Sequence, residues 1–415
     1  MNKGNNLTRE ELERRDAVDP LASMRELFVL PEKIIYLDGN SLGALPIAAG
    51  RAVGETVERE WGQDLITSWN RHGWIALGED NVRLLAPLIG ASEDEVAICD
   101  STSVNLFKLI SAATRLRPDR RIILSDATNF PTDLYVAQGI AGFLGLEFRQ
   151  LDHPGQYEAA LNEDVALVML SHVDFRSGLL HDIAELARRC HATGALILVD
   201  LAHSAGALPV QLDAMNIDMA VGCGYKYLNG GPGAPAFLYL ARHHIAEAVQ
   251  PLSGWFGHAS PFEFGTDFVP AAGISKFLVG TPPVLGMRAL RTGLDVASRA
   301  PIEQVRRKSM ELTQVFLDLF EQQLGRFGFT LASPREAGRR GSQVSFAHES
   351  GYAIMQAIIE AGVIGDFRAP DIVRFGMAPL YLRHVDMLDA VERIERVMAD
   401  GRWREARFQQ RSRVT

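Results

Sequence analysis

The sequence is short of cysteine, of basic blocks and of long apolar runs. Its 415 residues include three cysteines, Cys99, Cys190 and Cys223, and no Cys-x-x-Cys pair. So sparse and odd a set leaves no disulfide framework, gives no support to a zinc site or other metal centre, and fits a reducing cytoplasm. No apolar run reaches membrane-spanning length, and the polar, charged stretch from Met1 to Pro20 reads as neither a signal peptide nor a membrane anchor. With a net charge of −9 and only short basic runs, nucleic acid is an unsuitable partner. The absence of GxxxxGK[ST] excludes a nucleoside-triphosphate loop. No internal repeat or low-complexity segment is visible. What remains is ordinary globular composition, 47% hydrophobic and 22% charged, long enough for a large core and two domains.

From about residue 80, helical and strand patterns alternate. Strands are expected at 95–99, 121–125, 165–170, 196–199, 219–222 and 236–240, and helices at 81–89, 103–115, 132–143 and 182–193. Leu196-Ile197-Leu198-Val199 is unbroken apolar, as a strand covered on both faces should be. The fold class is therefore α/β, a mainly parallel sheet wrapped by helices, in which ligands lie beyond the carboxyl ends of the strands. Upstream, a polar arm with a helical piece at 9–15 leads to a short strand at 34–37, the turn-rich Asp38-Gly39-Asn40-Ser41-Leu42-Gly43 and a helix over 48–61. Past Gly280 the texture changes. Long helices at 284–296 and 302–324 precede short strands at 343–346 and 372–375 and helices at 352–361 and 385–398. This divides the chain into an N-terminal arm and loop (1–45), a large domain (46–284) and a smaller C-terminal α+β domain (285–415).

Chemistry-bearing residues gather after the strands. Lys226 lies in Gly222-Cys223-Gly224-Tyr225-Lys226-Tyr227-Leu228-Asn229-Gly230-Gly231-Pro232-Gly233, where glycine permits unusual backbone and close approach. A lysine in apolar surroundings can act as an amine nucleophile; beside glycines it can equally be a solvated loop residue. Asp200 ends the preceding strand, in Asp200-Leu201-Ala202-His203-Ser204-Ala205-Gly206. An aspartate that keeps a pyridine nitrogen protonated, paired with a Schiff-base lysine, outlines a pyridoxal 5′-phosphate (PLP) site. Ser101-Thr102-Ser103-Val104-Asn105 sits where free helix amides attract an anion, although on its own it is a plain helix cap. Phe130-Pro131-Thr132-Asp133 offers a ring to stack and a carboxylate to accept, or simply a proline helix start with an acidic first turn. Arg374, inside an apolar strand, needs a carboxylate, either a ligand's or a structural Asp or Glu. Ser68-Trp69-Asn70-Arg71-His72-Gly73-Trp74 is dense in aromatics and suits a pocket wall or core packing. Ser253-Gly254-Trp255-Phe256-Gly257-His258 and Gly280-Thr281-Pro282-Pro283 carry no role on physical grounds alone.

Together these strings resemble the kynureninase family, PLP-dependent hydrolases of the fold type I, aspartate-aminotransferase-like superfamily. The resemblance runs from Tyr36 into the C-terminal part. It rests on Tyr36-Leu37-Asp38-Gly39-Asn40-Ser41-Leu42-Gly43, Asn129-Phe130-Pro131-Thr132-Asp133, the Asp200 and Lys226 strings, and Gln250-Pro251-Leu252-Ser253-Gly254-Trp255-Phe256-Gly257-His258. The Asp–Lys pattern alone marks the superfamily; the longer strings point to the family.

The resemblance implies that Lys226 carries the cofactor and later moves the Cα proton. It places Asp200 and His203 at the pyridine side and stacks Phe130 on the ring, with Pro131, Thr132 and Asp133 beside it. Thr102, Ser103 and Tyr225 serve the phosphate end, Tyr225 also being a candidate for proton handling, and Ser171 contacts the cofactor. Trp255 and Thr281 reach the site from the partner subunit of a homodimer, and Arg374 takes the substrate α-carboxylate. The implied reaction is hydrolysis of L-kynurenine to anthranilate and L-alanine, within tryptophan degradation by the kynurenine pathway. Trp69, Gly280 and Thr281 match the bacterial-type pattern, which favours kynurenine over 3-hydroxykynurenine. Rival expectations are another fold type I enzyme, such as a cysteine desulfurase or an aminotransferase, and a non-catalytic PLP-binding regulator. A desulfurase needs a mobile catalytic cysteine, and none of the three is well placed.

Overall fold

Leu196–Asp200 is buried along its whole length, and its neighbours explain why an unbroken apolar strand was needed there. In the computed structural model, which describes residues 7–411, it is one of the central strands of a seven-stranded sheet. The strands are β1 (Val96–Ile98), β2 (Ile122–Asp126), β3 (Glu147–Leu151), β4 (Val165–Ser171), β5 (Leu196–Asp200), β6 (Met219–Cys223) and β7 (Ala236–Leu240), in the spatial order β1-β7-β6-β5-β4-β2-β3. β3, β2, β4, β5 and β6 pair in parallel, and β7 runs antiparallel to both β6 and β1. The expected mainly parallel sheet is thus present. β3 was not among the expected strands. Its residues, Glu147-Phe148-Arg149-Gln150-Leu151, are partly exposed at the sheet edge and lack the apolar run of a central strand.

Alternate residues of each strand feed two cores, because successive side chains point to opposite faces. Ile197 and Val199 join one core with helices α1 (Leu77–Leu88), α4 (Ile183–Thr193) and α6 (Val284–Ala297). Leu196 and Leu198 join the other with α2 (Thr102–Leu116) and α3 (Pro131–Leu144). Each such fully buried Leu, Ile or Val contributes about 1.5–3 kcal/mol relative to exposure. A four-residue helix, α5 (Arg242–Ile245), follows β7.

The chain divides into two compact units. One comprises Ala48–Phe175 and His181–Ser298; the other comprises the residues up to Ile47, Arg176–Leu180 and Arg299–Thr415. These divisions differ from those expected at 45 and 285. Helix α6 stays with the sheet because Met287, Leu290 and Leu294 enter its core. The N-terminal residues group with the C-terminal ones because Ile35–Tyr36 pairs in parallel with Val363–Ile364. Residues 1–6 of the expected arm lie outside the described residues. The second unit also holds a four-stranded sheet in the order Thr330–Leu331, Gln343–Ala347, Ile372–Gly376, Asp366–Arg368. Among the described residues, no helix is long and apolar enough to cross a membrane.

Candidate active site

β4, β5 and β6 end at Ser171, Asp200 and Cys223, and the parallel pairing brings these ends to one rim of the sheet. Lys226 follows β6 directly. A cleft there is lined by Phe130, Ser171, Val173, Phe175, Asp200, Ala202, His203 and Lys226. Lys226 Nζ lies 5.9 Å from the Phe130 ring centroid and 5.8 Å from that of Tyr225. Phe130 meets Phe175 edge-on, with centroids 5.3 Å apart and an interplanar angle of 89°. Phe130 caps α3 with extended backbone, Pro131 opens the helix, and Asp133 in its first turn is buried.

Burial pushes the Asp200 carboxyl above its ordinary range, opposed by Lys226 and by the Ala202 N–H, which donates to Oδ1 at 2.6 Å. Asp133 is raised well above its range by burial and then by Asp200, with Lys226 opposing. Its Oδ2 is buried without a hydrogen-bond partner. Asp200 and Asp133 are thus two buried carboxyl groups near Lys226, one of them lacking a hydrogen-bond donor, and the pair would gain from an added positive charge and an added donor. A protonated pyridine ring supplies both, so the residues present fit PLP. Burial also raises the Tyr225 phenol, with Cys223 and Asp200 adding to the effect, so this side chain keeps its proton at neutral pH.

Asn129 positions the cleft. Its Oδ1 accepts from Phe130 N–H at 2.8 Å, from Ser171 N–H at 3.0 Å and from the Ser171 hydroxyl at 2.7 Å. At the anion end, Ser101 is the N-cap of α2, its hydroxyl accepting from Val104 N–H at 3.3 Å. Thr102 and Ser103 thus occupy the first turn, where helix N–H groups lack intrahelical partners. Buried Lys108 ion-pairs with Asp100 just before this turn and donates to Phe277 O at 2.6 Å. The sequence expectation gave no role to Asn129, Lys108 or Phe175. Asn129 stood within the quoted family string, and a lysine inside the apolar face of a helix is the signal Lys108 carried. Glycines on both sides of Lys226 serve close packing: a Cβ on Gly224 would fall 2.5 Å from Pro235 O, and one on Gly230 2.7 Å from Gly224 O, whereas Gly231 and Gly233 have room for a Cβ and instead adopt φ of +78° and +82°.

Trp69, Trp255, Gly280 and Thr281 are not among the residues lining the Lys226 cleft. Trp69 packs edge-on to Trp74 at 5.9 Å and lies 6.2 Å from Phe256, whose ring meets Trp255 at 4.4 Å. Phe256, Gly280 and Thr281 share a cavity of about 900 Å³. Phe256 is thus the residue that adjoins Trp69 on one side and shares the cavity of Gly280 and Thr281 on the other.

Arg374 belongs to the other unit, on the strand Ile372–Gly376, and is buried. Its Nε donates to Asp366 Oδ1 at 2.8 Å and its Nη2 to Asp366 Oδ2, while Ser41 Oγ accepts from Nη2 at 2.9 Å. With its amide oxygen turned toward the guanidinium, Asn40 accepts from Nε and Nη2 at 3.0 and 3.2 Å. Register places Asp366 directly opposite Arg374 on the neighbouring strand. A structural carboxylate, one of the two partners expected, is therefore present.

The C-terminal part of the chain, residues 305–394, matches the family model described as the kynureninase C-terminal domain. A kynureninase from Burkholderia mallei (strain SAVP1) is 48% identical over 414 residues, covering 98% of this chain and 100% of that protein. The chain belongs to the kynureninase family. A kynureninase from Pseudomonas fluorescens is 46% identical over the same coverage. Among solved structures, a cysteine desulfurase from Thermococcus onnurineus NA1 superposes with a TM-score of 0.76 at 19% identity, covering 91% of this chain and 97% of that one. A mutant of C-DES with glycine covalently linked to its PLP cofactor gives 0.78 at 19% identity, covering 89% and 98%. These structural likenesses carry the fold, that of fold type I PLP enzymes. As a kynureninase-family member the chain is a PLP-dependent hydrolase. Its cysteines do not suit desulfuration: all three are buried, and burial lifts the Cys99 and Cys190 thiols to about 12 and raises Cys223.

Proposed function

We propose that the chain hydrolyses L-kynurenine to anthranilate and L-alanine, with 3-hydroxykynurenine the poorer substrate, as a step of tryptophan degradation. The observation that carries this reading is Lys226 set against the buried pair Asp200 and Asp133, in a chain with full-length kynureninase relatives. When bound, PLP supplies an aldehyde that condenses with amines and a cationic ring that takes up the electron pair left by bond cleavage. Asp200 and His203 would hold the pyridine side and keep the ring charged, and Phe130, with Pro131, Thr132 and Asp133, would pack against it. Thr102 and Ser103 hold the anionic end, and Ser171 is fixed for its contact by Asn129. Lys226 Nζ holds the cofactor and then carries the proton from the substrate Cα. The Tyr225 hydroxyl, which keeps its proton, would serve the phosphate end and is the candidate for proton handling in the cleavage step. Arg374 receives the substrate carboxylate, sharing its guanidinium with Asp366.

The active species in this proposal is a cytoplasmic homodimer in which Trp255 and Thr281 complete the partner's site. Supporting it, Trp61, Leu65, Ile66, Trp255, Phe262 and Phe264 are exposed apolar side chains of the sheet unit, such as interface cores bury. The unpaired cysteines suit a reducing compartment. Adding L-kynurenine to purified, PLP-loaded protein should produce anthranilate fluorescence. Lys226→Ala should abolish both turnover and the visible cofactor band that shifts on borohydride treatment. A PLP-loaded parent protein that yields no fluorescence would overturn the substrate assignment.

A further inference from the structure

At the rim of the sheet away from Lys226, three imidazoles converge on one carboxylate. Asp218 immediately precedes β6 and is buried. Its Oδ1 is hydrogen-bonded to His244 Nε2 at 2.8 Å and lies 3.9 Å from His243 Nε2. Its Oδ2 accepts from Ile197 N–H at 2.9 Å and is hydrogen-bonded to His191 Nε2 at 2.9 Å. His191 comes from the last turn of α4, and His243 and His244 from α5. The candidate ligand atoms of Asp218, His243 and His244 all lie within 4.8 Å of one another.

We propose that Asp218 Oδ1, His243 Nε2 and His244 Nε2 bind a divalent transition ion of the zinc type, water completing a tetrahedral shell. In such a shell the metal–ligand distances near 2.0–2.1 Å put ligand atoms roughly 3.3 Å apart. The observed 2.8 and 3.9 Å separations bracket that value, so small side-chain rotations suffice. His191 and the Ile197 amide hold Oδ2 and so orient the carboxylate, as outer partners do in metal sites. A bond to His244 alone would satisfy Asp218. It leaves unexplained why His243, with a side chain 70% exposed, turns its Nε2 to the same oxygen, its ring 3.9 Å from that of His244. That exposure also gives the ion an entry path. The bound ion would clasp α5 to the start of β6, outside the catalytic machinery. The sequence expectation of no metal centre weighed cysteine spacing, and these ligands have no motif spacing.

The test uses the PLP-loaded enzyme, freed of metal with a chelator and dialysed, then titrated with zinc chloride by calorimetry and followed by thermal unfolding. One zinc per chain and a rise in Tm are expected. His243→Ala, a change on an exposed side chain, should weaken binding about tenfold or more and remove the Tm rise, while His191→Gln weakens it less. Both variants should form anthranilate at the parent rate. No saturable binding at micromolar zinc, or equal binding by the parent and His243→Ala, overturns the proposal.

Discussion

Asp366 holds Arg374 through both carboxylate oxygens, across adjacent antiparallel strands. Burial would raise the Asp366 carboxyl, yet Arg374, then Arg368, keep it below its ordinary range. The guanidinium is therefore pre-oriented, and the substrate carboxylate proposed to bind there would share it. Arg374→Ala should raise KM for L-kynurenine roughly 10–100-fold, the worth of a charged hydrogen-bonded contact. It should also cost about 3 kcal/mol of stability, because Asp366 loses its main counter-charge. The visible cofactor band should stay. An unchanged KM in a folded variant would leave Arg374 a structural residue only.

Asp38 gives a pH signature. Burial, and then the charge of Asp366, push its carboxyl up to about 8. At pH values between the unfolded carboxylate range and 8, the folded chain holds a proton that the unfolded chain has released. The unfolded state binds fewer protons there, so this group's contribution to stability declines as pH rises. It is fully present below about pH 4 and is lost progressively up to about pH 8. Unfolding midpoints across that window should fall with pH in the parent and fall less steeply in Asp38→Asn. Identical slopes would contradict the shift.

Asn129→Ala removes one acceptor shared by two backbone N–H groups and one hydroxyl. Each buried donor left unsatisfied costs about 1–3 kcal/mol. Denaturant unfolding of the cofactor-free variant should show a loss of about 2–6 kcal/mol for the two buried Ser171 donors. PLP should dissociate more readily, since Phe130 and Ser171 are no longer tied together. Normal cofactor affinity would mean that Asn129 serves the fold alone.

The resemblance implies that Trp69 and Thr281, where animal-type enzymes carry histidine and asparagine, set substrate preference. Replacing Trp69 by histidine and Thr281 by asparagine should raise the kcat/KM ratio of 3-hydroxykynurenine to kynurenine about tenfold or more, within the 1–3 kcal/mol that pocket contacts ordinarily discriminate. Competition between the two substrates in one reaction mixture reads this directly. If the ratio does not move, discrimination lies elsewhere.

Much of the Lys226 site was legible because its parts are local: a buried strand, then a polar string at its carboxyl end. Asp200 and Lys226 could be named from that pattern alone. The partner of Arg374 could not, because strand pairing sets Asp366 opposite it and no local pattern announces register. β3 escaped for the opposite reason, its edge position leaving Glu147, Arg149 and Gln150 without the apolar signature of inner strands. The antiparallel course of β7 was equally hidden, since Ala236–Leu240 is as apolar and buried as its parallel neighbours.

The pairing of Ile35–Tyr36 with Val363–Ile364, extended by the bridge from Asp38 to Gly376, bears on biosynthesis. The segment around Ile35 is synthesised well before its strand partners, which lie far along the chain. The seven-stranded sheet can assemble while that segment waits, and the setting of Ser41 and Asn40 against Arg374 is completed only after Arg374 has been made. Truncated chains ending before residue 363 would leave the opening segment without its partner strand, a natural handle for quality control.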